Sequence, residues 1–351
     1  MIVVAAPYAL TETTAAAVRL AELAESLGHA VRFVSCAVYR RGTHPLWDGR
    51  VVVGRRPEAL ARLAARARVV VHFRCGPSWH AAGLDVRRPR QFLVVGRHGL
   101  TPQELAAADR FDRLVCPDRE CYRLLADAVC GGDRGEAVRR LLYCRWDAGL
   151  PPVRREGTVS DGRLRALVFC DAATVDLYGP FVLQLAHELL AGHPRLDVTL
   201  AHAAVWPRRD RRVLRRLVAL WPGRLAASRL ADLTAFDRAA HGHDWVVLPS
   251  VRSDFGVFAA RALACGAPVV CHDLPPYNEF VTADCGVPVR CVVRPGPAGD
   301  PLASPDLGEW LHACAAAFRD SALLLRLQTR EWWLEGRTAA FGNVWRPLLA
   351  A

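Results

Sequence analysis

The chain has 351 residues, 52% of them hydrophobic, and a formal net charge of +11. That length exceeds one ordinary core and predicts two domains, while the apolar share excludes disorder outside the Pro/Gly-rich stretch 294–305. All 46 basic residues are arginine; residues 1–155 carry 25 Arg against 15 Asp and Glu, and 156–351 carry 21 against 20, so the surplus positive charge belongs to the first half, where a one-sided field attracts polyanions.

Met1 runs directly into Ile-Val-Val-Ala-Ala, without the basic stretch and cleavage site of a signal peptide. No apolar run reaches the roughly 18–20 residues a membrane helix needs. A cytoplasmic protein with no integral membrane segment is the expectation. The twelve cysteines are scattered and form no C-x-x-C, so they read as small buried apolar residues. His241-Gly-His243 lacks zinc-like partners, and no metal is expected.

In chain order, Ile2–Ala6 reads as a strand, and Thr11-Glu-Thr-Thr opens a helix that Gly28 stops. Val31–Cys36 is the next strand, 56–66 a basic helix, and Val69–Phe73 and Phe92–Val95 are buried strands. Thr101, Pro102 and Glu104 carry the marks of a capping box with proline at the first helical position. Leu114–Cys116 is a strand, 118–129 a helix, and 149–162 a linker. The pattern then restarts: Ala166–Phe169, Leu196–Ala201, Trp245–Leu248 and Pro268–Cys271 as strands, with helices at 181–191, 208–220 and 257–265. Two tryptophan-rich helices fill 308–350. Strands alternating with helices predict parallel, doubly wound sheets, and two such halves place a ligand in the cleft between them.

No Gly-x-Gly-x-x-Gly follows a strand and no phosphate-loop signature occurs, which excludes an ordinary dehydrogenase or nucleoside triphosphatase. The informative segment runs Leu248-Pro-Ser-Val-Arg-Ser-Asp-Phe-Gly256, then a helix to Cys265-Gly-Ala-Pro-Val-Val270 and Pro275-Pro-Tyr-Asn-Glu279. Its bare reading is a strand–turn–helix–strand unit. Free N–H groups at the start of that helix suit a nucleotide diphosphate, and Gly256 permits close backbone approach.

This segment resembles the donor-site region of the large retaining family of GT-B glycosyltransferases, where Pro-Ser, two residues and Glu-Gly-Phe-Gly precede a helix carrying a second glutamate. Weaker similarity spans about 1–345, including Val69-Val-Val-His72 and Val94-Val-Gly-Arg-His-Gly99. The resemblance implies an α/β GT-B fold of two Rossmann-like doubly wound domains facing a cleft. The acceptor-side domain would be 1–155, the nucleotide-sugar domain 156–330, and a C-terminal helix, 331–351, would cross back to the first. It implies sugar transfer from a nucleotide-sugar donor with retention at the anomeric carbon, and neither metal nor resident cofactor. The basic first domain implies an anionic acceptor: DNA, a lipid headgroup or a phosphorylated glycan.

On this reading His98 and Asp254 are the catalytic candidates. The donor-binding set is Arg97, Ser250, Arg252, Ser253, Phe255, Gly256, Val257, Arg261, Asn278 and Glu279. The pattern also departs from the family. Its two glutamates align with Ser253 and Arg261, and a guanidinium has no acceptor for ribose hydroxyls. The usual Arg/Lys phosphate clamp falls near Asp171 and Asp176, where two aspartates would repel a diphosphate. A catalytically degenerate GT-B protein acting as a polyanion-binding or scaffolding module is therefore the alternative, and a GT-B-shaped sugar epimerase a third reading.

Overall fold

The computed structural model describes residues 1–8, 11–39, 47, 49–54, 56–73, 77–86, 89–96, 100, 102–148, 162–250, 255–279, 281–295, 301–319 and 331–350. The chain divides into two compact units, Met1–Gly149 with Glu335–Ala351, and Leu150–Leu334.

In the first unit the strands are β1 (Ile2–Tyr8), β2 (Val31–Tyr39), β3 (Val51–Val53), β4 (Val69–Phe73), β5 (Arg90–Val94), β6 (Arg113–Cys116) and β7 (Leu141–Tyr143). They form one parallel sheet in the order β3-β2-β1-β4-β5-β6-β7. Parallel sheets are covered by helices on both faces, so their strands read as continuous apolar runs; every residue of β4 is buried. The helices are α1 (Glu12–Ser26), α2 (Glu58–Ala64), α3 (Pro77–Leu84), α4 (Pro102–Ala106), α5 (Arg119–Cys130) and α6 (Arg134–Arg140). Thr11 caps α1 by accepting the Thr14 N–H, and Asp118 caps α5 through Cys121 N–H at 2.7 Å.

The second unit repeats the design with β8 (Leu164–Cys170), α7 (Ala172–Gly192), β9 (Leu196–His202), α8 (Arg208–Leu220), β10 (Leu225–Arg229), α9 (Leu233–His241), β11 (Trp245–Leu248), α10 (Val257–Ala264), β12 (Val269–His272) and β13 (Gly286–Val289). Its sheet is parallel in the order β10-β9-β8-β11-β12-β13. A small antiparallel pair, β14 (Val292–Pro295) and β15 (Pro301–Ser304), precedes α11 (Leu307–Arg319). The last helix, α12, is Glu331–Ala350. Its Phe341 and Trp345 pack edge-on against Trp146, at 5.4 and 5.9 Å between ring centroids, within the first unit.

Helix α7 starts nine residues before the expected 181. Pro180 reads as a helix break because it lacks an N–H and clashes with the preceding turn. Here it only kinks the helix: Tyr178 leaves helical geometry at φ −135°, ψ 24°, and the helix resumes. The kink leaves Gly179 facing Asp210, whose Oδ2 would lie 2.7 Å from an added Cβ.

Candidate donor site

Both sheets contain the strand order 3-2-1-4-5-6, which reverses beside the first strand. In open α/β sheets, ligands sit outside the carboxyl ends of the strands at that reversal. In the second unit the reversal lies between β8 and β11. Strand β8 ends by delivering Asp171, and β11 ends by delivering Pro249-Ser250.

These two ends are joined. The Ser250 hydroxyl donates to Asp171 Oδ2 at 2.9 Å, and Asp171 Oδ1 accepts the Thr174 N–H at 2.7 Å, capping α7. The Asp171 carboxylate therefore rests on a helix N-terminus, where the helix dipole favours negative charge. It is held by donors rather than left as a bare repulsive charge. Asp176 is exposed on the same helix. The Thr174 hydroxyl is buried with no hydrogen-bond partner among the described residues.

A second brace holds the Ser250 backbone. His272, at the end of β12, is 1% exposed. Its Nε2 lies 3.0 Å from the Trp310 indole nitrogen of α11, and its Nδ1 lies 2.9 Å from the Ser250 carbonyl oxygen. An indole N–H only donates. Nε2 must therefore accept, Nδ1 carries the proton, and the ring donates to Ser250. The neutral tautomer follows from the network. Ser250 is thus fixed by hydroxyl and carbonyl alike just before residues 251–254.

Beyond those residues, Phe255 is 1% exposed and Val257 fully buried. Gly256 is the N-cap of α10 in left-handed geometry, φ +66°, ψ 20°, a conformation glycine adopts without steric cost. Gly256 has no side chain with which to cap α10, and the first N–H groups of a helix lack intrahelical acceptors. Phe258 anchors the helix by packing on Phe169 and Phe236, at 4.7 and 5.0 Å between centroids.

Arg261 is held by α9. Its guanidinium forks onto Asp237 of α9: Nε donates to Oδ1 at 2.8 Å and Nη2 to Oδ2. Burial pushes the Asp237 carboxyl up, and the hydrogen bond and charge of Arg261 pull it down. The pair ties α10 to α9. Following β12, Tyr277 is buried, Asn278 exposed and Glu279 half-buried in a single turn. Glu279 N–H donates to Pro276 O at 3.2 Å. Arg97, His98, Arg252, Ser253 and Asp254 lie outside the described residues, as does Thr101.

Burial raises the Cys170 and Cys271 thiols well above their ordinary range, so both stay protonated and act as packing. Among the described residues no group of three or more His, Cys, Asp or Glu is arranged to hold a metal. His243 is pinned to Ala239 O at 2.6 Å and to Thr199 Oγ1 at 2.8 Å.

Sequence reasoning did not find His272, Trp310 or Asp237. Nor did it find a buried cluster in the first unit. His72 Nε2 lies 2.8 Å from Gln91 Oε1, whose amide nitrogen donates to Gly83 O at 3.0 Å. His80 lies 3.4 Å from His72 through Nδ1 and 3.0 Å from Glu104 through Nε2. Glu104 thus reaches His80, a role the capping pattern does not signal. The one sequence signal was His72 itself, closing an apolar strand.

No protein-family model matches the chain, and no curated protein matches it by sequence. Solved structures match its fold. Anabaena HepE in complex with UDP and glucose superposes with a TM-score of 0.69 at 12% identity, covering 100% of this chain and 99% of that one. The chain has a GT-B fold. Sucrose-phosphate synthase from Thermosynechococcus elongatus gives 0.64 at 15% identity over 99% of both chains. A GtfA/B complex gives 0.55 at 13% identity; 84% of this chain is covered, but it spans only 59% of that longer one.

Proposed function

We propose that the chain transfers a sugar from a nucleotide-sugar donor bound in the second unit at the β8/β11 reversal. The observation that carries this is the doubly braced Ser250, fixed through Asp171 and His272, at the strand end that precedes α10 and its left-handed N-cap Gly256. Rigid positioning of helix N-terminal N–H groups beside a strand end is what a leaving diphosphate requires, because preorganised donors stabilise charge as it develops. Arg97 and Arg252 would neutralise the diphosphate, and Phe255, Gly256 and Val257 would give it backbone contact. Ser253, Asn278 and Glu279 would meet the nucleotide or sugar. His98 and Asp254 would act at the reacting carbon, with retention following the family resemblance and without metal or resident cofactor. HepE, whose structure contains UDP and glucose, supports the reading through its fold.

The acceptor in this proposal is anionic, matching the net +10 of residues 1–155. A second reading rests on Arg261. With Ser253 and Arg261 in place of both family glutamates and Arg261 tied to Asp237, the fold would serve as a polyanion-binding module without transfer. Incubation with radiolabelled nucleotide sugars separates the two. Hydrolysis of one donor, accelerated by an anionic acceptor, supports transfer; polyanion binding with no turnover of any donor supports the module.

A further inference from the structure

Several arginines of this protein meet a carboxylate. Arg19 forks onto Asp147, Arg163 pairs with Asp197, and Arg110 pairs with Asp85 at 2.9 Å. Arg224 instead turns inward, donating to the carbonyls of Leu190, His193 and Leu196. Helix α8 concentrates six arginines in 13 residues. Arg208, Arg209, Arg211, Arg212, Arg215 and Arg216 are all exposed, and among the described residues none of them forms an ion pair. The only acid of the helix, Asp210, is 8% exposed and faces Gly179.

Helical geometry sorts the face. At 100° per residue, Leu214, Leu217 and Asp210 point inward, and five of the arginines share the opposite arc of roughly 120°. One border of that arc is apolar, with Val213 at 40% and Leu220 at 59% exposure; Val205, just before the helix, is 57% exposed. The border adjoins a groove where Pro180, Leu183 and Leu217 lie beside the polar Gln184, His187 and Asp210. The helix is about 20 Å long. Among the described residues no helix can cross a membrane.

We propose that α8 is a docking face for an anionic bilayer surface. Guanidinium forks match phosphodiester headgroups, and the aliphatic border gains by entering the headgroup boundary, as in interfacial amphipathic helices. A nucleic-acid backbone would satisfy the arginines and leave Leu220 and Val213 without gain. The proposal concerns a surface apart from the β8/β11 reversal and stands whether or not sugar is transferred.

The test is co-sedimentation of the full chain with vesicles of phosphatidylcholine alone, and of phosphatidylcholine with about one third phosphatidylglycerol, a strongly anionic surface. Binding should require the anionic lipid. R212Q/R216Q should weaken it roughly 30-fold, since each basic residue near such a surface contributes about a fivefold factor. A control with the same charge change in the first unit, R62Q/R66Q, should weaken it far less. V213S/L220S, which leaves the charge intact, should weaken binding that persists at high salt. Because all these side chains are at least partly exposed, each variant's thermal unfolding is recorded to show that it is folded. Equal binding to both vesicles, or equal loss in the control, overturns the proposal. So does absence of vesicle binding beside duplex DNA binding that R212Q/R216Q abolishes, which would assign the face to nucleic acid.

Discussion

Lowering the pH should destabilise the first unit through His72. The ring is wholly buried, and burial first, then the neighbouring His80, lower its pKa from 6.5 to about 3, with the Gln91 hydrogen bond opposing. The folded state therefore holds His72 neutral while the unfolded chain takes up a proton below 6.5. Stability from this group is complete above 6.5 and is lost as pH falls from there toward 3. The loss follows linkage at about 1.4 kcal/mol per pH unit, reaching about 1.4 kcal/mol at pH 5.5 and about 2.7 kcal/mol at pH 4.5. His80, Glu104 and Asp112 also face this cluster, the last through the Gln91 N–H at 2.6 Å, so wild type alone would not isolate His72. The comparison is with His72→Gln, which does not titrate. Amide exchange of the β4 peptide in each protein gives the local opening free energy across pH. The variant should be less stable near pH 7.5, and its deficit should shrink by about 2.7 kcal/mol by pH 4.5. A deficit constant across that range would refute the argument.

Two further perturbations follow from the scaffold around the β8/β11 reversal. Ser250→Ala and Asp171→Ala each remove one end of the bridge across the sheet reversal. The double-mutant cycle should show a coupling of about 1.5–3 kcal/mol, as for a hydrogen bond to a charged group, and additivity in chemical denaturation would contradict the 2.9 Å contact. Asp237→Ala leaves the Arg261 guanidinium, 9% exposed, without its carboxylate and should cost about 3–5 kcal/mol. Asp237→Leu with Arg261→Met should recover much of that and leave nucleotide affinity within about threefold by calorimetry; loss of affinity in the double variant would return Arg261 to the ligand.

The parallel layers were legible because strands buried on both faces leave unbroken apolar runs, such as Val69-Val-Val and Trp245-Val-Val-Leu. Strand β10 was not, since only Leu225 of its five residues is buried, and an edge strand needs no apolar run. Helix α7 was truncated in the reading because proline signals a break locally, whereas the surrounding core stabilises a kinked helix. Around the β8/β11 reversal, the Pro-Ser register and the glycine before α10 are local features that a sequence displays directly. The partners of Arg261 and His272 lie 24 and 38 residues away, so only the fold brings them together. The same holds for Asp171. Sequence gave it a charge, and the structure adds the helix N-terminus and Ser250 hydroxyl that hold that charge.

Thermal unfolding across a panel of nucleotides and nucleotide sugars tests the central claim most directly. A ligand present at 100 times its dissociation constant adds about 2.7 kcal/mol to the unit that binds it. The account predicts a selective rise with one nucleotide-diphosphate sugar, lost in Gly256→Val, where a β-branched side chain meets the left-handed backbone at the start of α10. A flat response to the whole panel from a protein that remains folded would contradict donor binding at this site.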